Sequence, residues 1–357
     1  VNAAEPDEAI RFQVAMIRHI KAADPDLAVP LVRLSKSGEA LPVIEDGKGG
    51  RHLIRAVDYL EGAPFAEATK TPELLASFGA FLGRLDRALQ SFGHVGAHRD
   101  LDWDLRKAGR SRARLAAIQD PAAREICDYF ITRFETEIEP RLAKLRASVI
   151  HNDANDWNVL VSADGKAISG LIDFGDALHT ALICEMAVAA AYAILDARDP
   201  LGALSHMLAA YHREMPLIAE EVDLLFDLIA MRLVTSVTIS AERAPRIADN
   251  PYLNISERPA WDMLRRLRRI DPFIAKAILR RACGLDVAPG AAKAAEWLTR
   301  NRKSLSPLWG RPLSNHRILQ VPFGNAGHPL VKAAAAMDVE ACEREWQALR
   351  QAGNAEL

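Results

Sequence analysis

The amino-acid sequence predicts an α+β protein in which a small mixed lobe precedes a larger, mainly helical lobe. Short apolar runs typical of strands are confined to the first 62 residues and to positions 148–172. From position 71 onward most apolar residues recur at helical spacing. The chain has 357 residues and is 50% hydrophobic, which is enough for one large domain or two ordinary ones with a buried core.

The predicted small lobe contains one helix and an antiparallel meander. Apolar residues along positions 8–22 form one helical face, and Pro25 and Pro30 close that segment. A turn at Asp46-Gly47 separates the second and third of the strands. The three strands are expected at 31–34, 41–44 and 52–60.

Helices dominate the predicted larger lobe, with one exception. Three apolar stretches between Ser148 and Ile172 are too short for helices and are separated by polar turns, so we expect a small β hairpin that carries loops. The helices are expected at 72–91, 121–146, 181–196, 201–214, 220–242 and 258–269, with another near 291–302.

Composition excludes several classes of protein. The formal net charge of -2 argues against a surface that wraps nucleic acid. Four scattered cysteines are too few for a disulfide scaffold or a paired-cysteine zinc site, which favours a reducing, cytoplasmic setting. The apolar run at 186–195 is about half the length of a membrane span and indicates a buried helix.

Two short motifs carry the chemistry. The segment HNDANDWN starts at His151, and Asp-Phe-Gly follows at Asp173. The spacing of Asp153, Asn158 and Asp173 is that of the phosphotransfer loops of kinase-like enzymes. We predict that Asp153 is the catalytic base, because a carboxylate is needed to orient the acceptor hydroxyl and take its proton. Asn158 and Asp173 are the predicted magnesium ligands, since Mg²⁺ prefers oxygen donors.

Other interpretations of these residues remain open at this stage. Asp and Asn also cap loops, so the motif residues could be turn residues only. His151 is best interpreted as a buried histidine that holds the loop through backbone hydrogen bonds. A metal hydrolase would require more histidines at ligand spacing than this segment offers.

The motif set resembles the aminoglycoside phosphotransferase and choline kinase family, and more narrowly the hydroxylysine kinase type of amino-alcohol kinase. The resemblance rests on LIRAVDYLEGAPF, LGRLDRAL, HRDLDWDLR, VIHNDANDWNVLV, IDFGDA and NPYLNISERPAW. It implies a protein-kinase-like two-lobe fold with a catalytic β hairpin. It also implies a partial N-lobe at 1–62, a C-lobe at 63–285 and a C-terminal extension or linker at 286–357.

The resemblance further implies ATP or GTP as co-substrate, together with Mg²⁺. Val57, Asp58 and Tyr59 resemble the linker between the lobes, whose backbone binds the nucleotide base. The glycine-rich turn and strand lysine of this family are not visible, and Lys21 and Lys36 sit in the wrong contexts to replace the lysine. We therefore expect an N-terminally truncated piece that binds ATP poorly. The glutamate partner of that lysine stays unassigned, because Gln13 occupies the matching position.

The expected acceptor is a small amine-bearing alcohol, such as a hydroxylysine-like amino alcohol or an aminoglycoside. A buried ammonium group requires an acidic partner. The nearest candidates for acceptor binding are Asp176, Asp156 and Trp157. Further candidates are Glu185, Asp104 and Tyr252.

Two alternatives concern the whole chain. A non-catalytic pseudokinase or binding module is favoured by the missing lysine and disfavoured by the intact Asp153, Asn158 and Asp173. The stretch beyond Leu285 resembles a connector to a pyridoxal-phosphate-dependent, aminotransferase-like domain, so a larger fusion is a further expectation. An ordinary helical extension is the simpler interpretation of that stretch.

Overall fold

Helix α1 and four short strands form the small lobe. The computed structural model describes residues 6–244, 251–287, 296 and 300, with the backbone alone for 251–257. Helix α1 spans Asp7–Ala23, close to the predicted 8–22, and its acidic residues Asp7 and Glu8 complement the helix dipole. Its buried face includes Phe12, which packs against the larger lobe at Phe92 with ring centroids 6.1 Å apart.

The strands of this lobe form two separate antiparallel pairs, so the predicted single meander is wrong. Strands β1 (Val32–Arg33) and β4 (Ala56–Val57) pair with each other, as do β2 (Val43–Glu45) and β3 (Arg51–Leu53). The predicted strand at 52–60 is split because its two halves pair with different partners. The turn between β2 and β3 is closed by Asp46, whose carboxylate accepts hydrogen bonds from two backbone N–H groups.

The larger lobe is built around helices that begin at clear capping signals. Thr71 accepts a hydrogen bond at the start of α2, and the following Pro72 occupies a position where no backbone N–H is needed. Asp199 and Asp271 cap α7 and α10 in the same way. The longer helices are α2 (Pro72–Leu89), α4 (Pro121–Arg133), α6 (Ile183–Ala193), α7 (Pro200–Glu214), α8 (Ala219–Arg243), α9 (Pro251–Leu267) and α10 (Pro272–Ala282).

The helix predicted at 121–146 is interrupted. Helix α4 passes into a π-helical turn at Phe134–Ile138, which leads to the short α5 (Glu139–Leu142). Pro140 explains the interruption, because proline has no N–H to donate and its ring displaces the carbonyl of the preceding turn. Another short helix, α3 (Ser111–Arg114), and helix α10 were not predicted from the sequence.

Two small sheets hold the loops that carry the motif residues. Strands β7 (Val159–Val161) and β8 (Ile168–Leu171) form the predicted hairpin, and β5 (Ala63–Pro64) adds to its edge. Strand β6 (Ala147–Ile150) pairs with β9 (Leu178–Ala181) rather than with the hairpin. Strands β5 and β9 were not expected, because such short strands have little sequence signal of their own.

Helix α8 is the central helix of the core. It is long and apolar enough to cross a membrane by length and composition, but 83% of its apolar window is buried within the fold. A buried core helix has the same composition. The polar Arg232 lies within this apolar stretch and is also buried.

The chain divides into two compact units, Val1–Leu285 and Asp286–Leu357, and the elements above belong to the first. The boundary expected between the lobes near residue 62 lies inside this first unit and stays a prediction. The expected helix near 291–302 lies almost entirely outside the described residues, and so does the stretch that resembles a connector.

The contact between α2 and α7 gives a test of the packing. A Cβ atom on Gly79 would lie 1.8 Å from the carbonyl oxygen of Met207, which is backbone and cannot swing away. Gly79→Ala should therefore lower the free energy of unfolding by about 3 kcal/mol or more through overpacking. Urea unfolding measures the change, and Gly93→Ala is the matched control because nothing lies within 4 Å of its added Cβ. Equal stability of the two variants would contradict the close helix contact.

Candidate active site

The motif residues lie on loops at the ends of the β7–β8 hairpin. Val159 pairs with Leu171, so the residues just outside this pair are adjacent. The backbone N–H of Ile172 donates to the carbonyl oxygen of Asn158 at 2.9 Å. Asp173 follows directly and adopts a left-handed backbone conformation, with φ of 60°. Such a conformation is costly for a non-glycine residue and is found where the surrounding structure imposes it, often at functional sites.

Asp153 is held by three side chains. Its Oδ1 accepts hydrogen bonds from Arg232 Nη2 at 3.0 Å and from Asn155 Nδ2 at 3.1 Å. Its Oδ2 accepts one from Asn158 Nδ2 at 2.8 Å. Burial raises the pKa of Asp153 to about 6, although the positive charge of Arg232 acts in the opposite direction. A carboxylate with this pKa can take a proton near neutral pH.

The side chains of Asn158 and Asp173 offer oxygen atoms of the kind that Mg²⁺ prefers. The amide nitrogen of Asn158 donates to both the carbonyl and the carboxylate of Asp153, which leaves its side-chain oxygen available for a cation. Asp173 is exposed, and its Oδ1 accepts a hydrogen bond from the Gly175 N–H at 3.1 Å. Within the described residues no three His, Cys, Asp or Glu side chains group as metal ligands. Two protein oxygens suit Mg²⁺ that also binds phosphate.

His151 lies beneath the loop and is fully buried. Its Nδ1 accepts a hydrogen bond from the Asp153 N–H at 3.3 Å, so the ring proton is assigned to Nε2, which donates to the Ile172 carbonyl at 3.1 Å. Burial lowers the pKa of His151 to about 4, which keeps the ring neutral. His151 thus links the two motif segments, as expected for a structural histidine.

One cavity of about 210 Å³ lies between the small lobe and the Asp173 loop. Val57, Asp58 and Tyr59, the residues predicted to bind nucleotide, all line it together with Asp173. Arg55 also lines it and was missed from the sequence, and its guanidinium donates to the Gln13 side chain at 2.6 Å. Lys21 lies elsewhere and donates to backbone carbonyls near the end of α1.

A second cavity, of about 450 Å³, is lined by Asp153 and by residues of helix α8. The three residues predicted to bind the acceptor, Asp156, Trp157 and Asp176, all line it together with Asp153. Burial raises the pKa of Asp156, although the charge of Lys70 partly opposes this shift. The two cavities share no lining residue, so Asp153 and Asp173 face different spaces.

Two further acceptor candidates lie away from this cavity. Glu185 is fully buried below the catalytic loop, where its Oε2 accepts a hydrogen bond from the Asn152 N–H at 3.0 Å. Asp104 is also buried and accepts a hydrogen bond from Thr180 at 2.7 Å. Neither lines the cavity, so the suggestion that they contact the acceptor gains no support here and stays a prediction. The side chain of Tyr252 lies outside the described residues.

Several residues at the site were not predicted from the sequence. Arg232, Trp103 and Tyr192 line the larger cavity. The signal for Arg232 was a single cation inside an otherwise apolar helical run. Arg99 was also missed, although its guanidinium donates to the Gly175 carbonyl at 2.5 Å and so fixes the loop after Asp173.

The two-lobed α+β fold, with this Asp, Asn and Asp set on hairpin ends, defines a kinase-like small-molecule phosphotransferase. The chain belongs to the APH family, described as a phosphotransferase enzyme family, which matches residues 1–220. The predicted family and fold class are therefore confirmed.

The relatives agree with this membership, and the solved structures agree with the fold. The chain is 29% identical over 279 residues to hydroxylysine kinase of Mus musculus, covering 74% of each chain. It is 31% identical over 179 residues to homoserine kinase of Methylobacillus flagellatus, covering 47% of this chain and 53% of that protein. An aminoglycoside phosphotransferase from Alicyclobacillus acidocaldarius has a similar fold, with a TM-score of 0.54, 16% identity and coverage of 79% and 85%. So does an amicoumacin kinase, with a TM-score of 0.53, 17% identity and coverage of 79% and 81%.

Glu185 gives a test of the support beneath the catalytic loop. Burial raises the pKa of Glu185 from 4.5 to about 7, so the folded state holds a proton that the unfolded state releases between these values. The resulting stabilisation is present below pH 4.5 and is lost as the pH rises through 7, by up to about 1.4 kcal/mol per pH unit. Glu185→Gln should flatten this decline in urea unfolding measured from pH 5 to 8.

Exposed Glu220 on α8 supplies the control, since Glu220→Gln should leave the pH dependence of unfolding as it is in the unmodified protein. An unchanged slope in Glu185→Gln would show that Glu185 is ionised in the folded protein.

Proposed function

We propose that this protein transfers the γ-phosphate of ATP or GTP to the hydroxyl of a small amine-bearing acceptor. The observation that carries the proposal is the position of Asp153, which lines the larger cavity. Its carboxylate accepts a hydrogen bond from the side chain of Asn158. The backbone of Asn158 in turn pairs with Ile172, the residue before Asp173. Phosphoryl transfer needs an acceptor site and a nucleotide site on the two sides of such a group.

The smaller cavity is the proposed nucleotide site. The backbone of Val57–Tyr59 would bind the base, and Asp173 at the same cavity would face the phosphates. The amicoumacin kinase of similar fold is described in complex with AMP-PNP and Ca²⁺. An aminoglycoside 2'-phosphotransferase of similar fold, with a TM-score of 0.51, is described as a GDP complex. These complexes support a nucleoside triphosphate as co-substrate.

Asp153 would orient the acceptor hydroxyl and take its proton as the bond to phosphorus forms. Asn158 and Asp173 would hold Mg²⁺ by their side-chain oxygens, and the ion, when bound, neutralises charge on the phosphates. The hydrogen bonds to Asp153 fix its carboxylate in place before the acceptor arrives. Catalysis is then mainly positioning and electrostatic stabilisation.

Acidic side chains in the larger cavity support an amine-bearing acceptor. Asp156 and Asp176 would pair with an ammonium group, and Trp157, which is 47% exposed, would cover the apolar part of the acceptor. Two kinds of similar protein are named for amine-bearing acceptors. They are the hydroxylysine kinases among the relatives and a microcompartment-associated aminopropanol kinase of similar fold, which has a TM-score of 0.50.

A cytoplasmic location remains part of the proposal. Within the described residues Cys127, Cys184 and Cys283 are all free and buried, which suits a reducing compartment.

The role of Asp153 is tested by Asp153→Asn in the full natural chain. This change keeps the size of the side chain and removes the base, so turnover should fall by a factor of about 10³ while nucleotide binding stays close to normal. Turnover is measured by nucleotide consumption with an acceptor panel, and binding by calorimetry. Exposed Asp262 provides the control variant Asp262→Asn. Near-normal turnover of Asp153→Asn would refute the assignment of the base.

The pKa of Asp153 predicts the pH dependence of the reaction. The base works only when it is ionised, and its pKa is raised to about 6 by burial. The value of kcat/KM should therefore fall as the pH drops below 6, approaching tenfold per pH unit. An acid limb near pH 4 would instead indicate a carboxylate with an ordinary pKa.

A further inference from the structure

We infer that Arg232 forms an anion-binding subsite in the larger cavity, so that the acceptor is a small hydroxy acid that also bears an amine. This inference rests on the proposed function and narrows its acceptor class. A hydroxy amino acid has the required groups, whereas a simple amino alcohol or an aminoglycoside lacks the carboxylate.

The guanidinium of Arg232 is fixed within the wall of the cavity. Arg232 is only 2% exposed. Its central carbon lies 4.5 Å from the centre of the Trp103 ring and 5.5 Å from that of Tyr192, and its Nε donates to the Tyr192 hydroxyl at 3.2 Å. Aromatic faces stabilise a guanidinium and restrict its rotation. The cation is thereby presented in one orientation.

The hydrogen bonds of this guanidinium are incomplete. Arg232 Nη2 donates to Asp153, but Nη1 is buried without a hydrogen-bond partner in the part of the chain that the structure describes. Leaving a buried charged donor unpaired is unfavourable, and a guanidinium binds carboxylates through two parallel N–H groups. A carboxylate oxygen on the acceptor would supply the missing partner.

The same face of α8 continues the polar lining. Ser236, Ser240 and Arg243 follow Arg232 at helical spacing, and all of them line the cavity. Asp156 and Asp176 line it from the loops. The cavity therefore offers cations from the helix and acids from the loops, which matches an acceptor with both an anionic and an ammonium group.

Arg232 also limits the distance between the carboxylate and the reacting hydroxyl of the acceptor. The same guanidinium contacts Asp153, which must contact the reacting hydroxyl, so the carboxylate is expected within a few bonds of that hydroxyl. Arg232 does not line the smaller cavity, which argues against a role in binding the nucleotide.

The test compares acceptors that differ only in the carboxylate. With the full natural chain, kcat/KM is measured for L-homoserine against 3-aminopropan-1-ol, and for 5-hydroxylysine against 1,5-diaminopentan-2-ol. The unmodified protein should prefer the carboxylate-bearing member of at least one pair by about 100-fold. In Arg232→Gln the kcat/KM for both members should fall, because Asp153 loses a hydrogen-bond partner. The ratio of the two kcat/KM values should in addition fall to within about threefold of unity.

Two further variants complete the design. Arg232→Lys keeps the charge without the two parallel donors and should retain only part of the preference. Arg265→Gln changes an exposed arginine on α9 and should leave the preference intact. Thermal unfolding confirms that each variant is folded.

A preference that is unchanged in Arg232→Gln, or an unmodified protein that favours the decarboxylated members, would overturn the inference and leave Arg232 as a positioning residue for Asp153. Absence of turnover with every acceptor and with both nucleotides would instead refute the proposed function. Calorimetric binding of each acceptor pair to the unmodified and Arg232→Gln proteins then decides the inference separately.

Discussion

The register of the β7–β8 hairpin is the constraint on which the rest of the site depends. Pairing of Val159 with Leu171 places Asn158 beside Ile172, and the loops leave the hairpin from these two positions. A shift by one residue would turn every side chain of a strand to the opposite face. The buried His151 adds a second connection between the same loops, so the motif residues are held by backbone pairing and by one neutral side chain.

Burial sets the electrostatic character of the site. Asp153, Asp156 and Glu185 all have raised pKa values, and desolvation is the largest cause in each case. Arg232 opposes this effect at Asp153, so the carboxylate is neither as basic as an unpaired buried acid nor as weakly basic as an exposed one. The pairing of the buried Arg232 with the partly buried Asp153 would thus keep the proposed base in a range suitable for proton transfer near neutral pH.

Much of the fold and part of the site could be predicted from the sequence. Asp153, Asn158 and Asp173 lie within 21 positions of one another, and local spacing was enough to find them. Most helices were predicted because their apolar residues repeat at helical spacing. The split strand at 52–60 and the short β5 and β9 depend on distant partners, which local patterns do not show.

Residues contributed by distant segments were harder to find. Arg232 lies 79 positions after Asp153 and reaches it only because α8 crosses the core. Glu185 was only a further candidate for acceptor binding, named as an acid of the helical lobe. In the structure its side chain accepts a backbone hydrogen bond from Asn152, in the loop that carries Asp153. The roles proposed for the catalytic, metal, nucleotide and acceptor residues stay predictions until they are tested.

Helix α8 serves both as the centre of the core and as one wall of the larger cavity. Under the proposed function, a substitution on this wall that changes the acceptor also alters buried packing and so lowers stability. Asp156 and Trp157 lie on a loop, where changes disturb less of the core. Divergence of acceptor preference among related enzymes should therefore proceed first through the loop, and changes on the helix should require compensating substitutions in the residues packed around it.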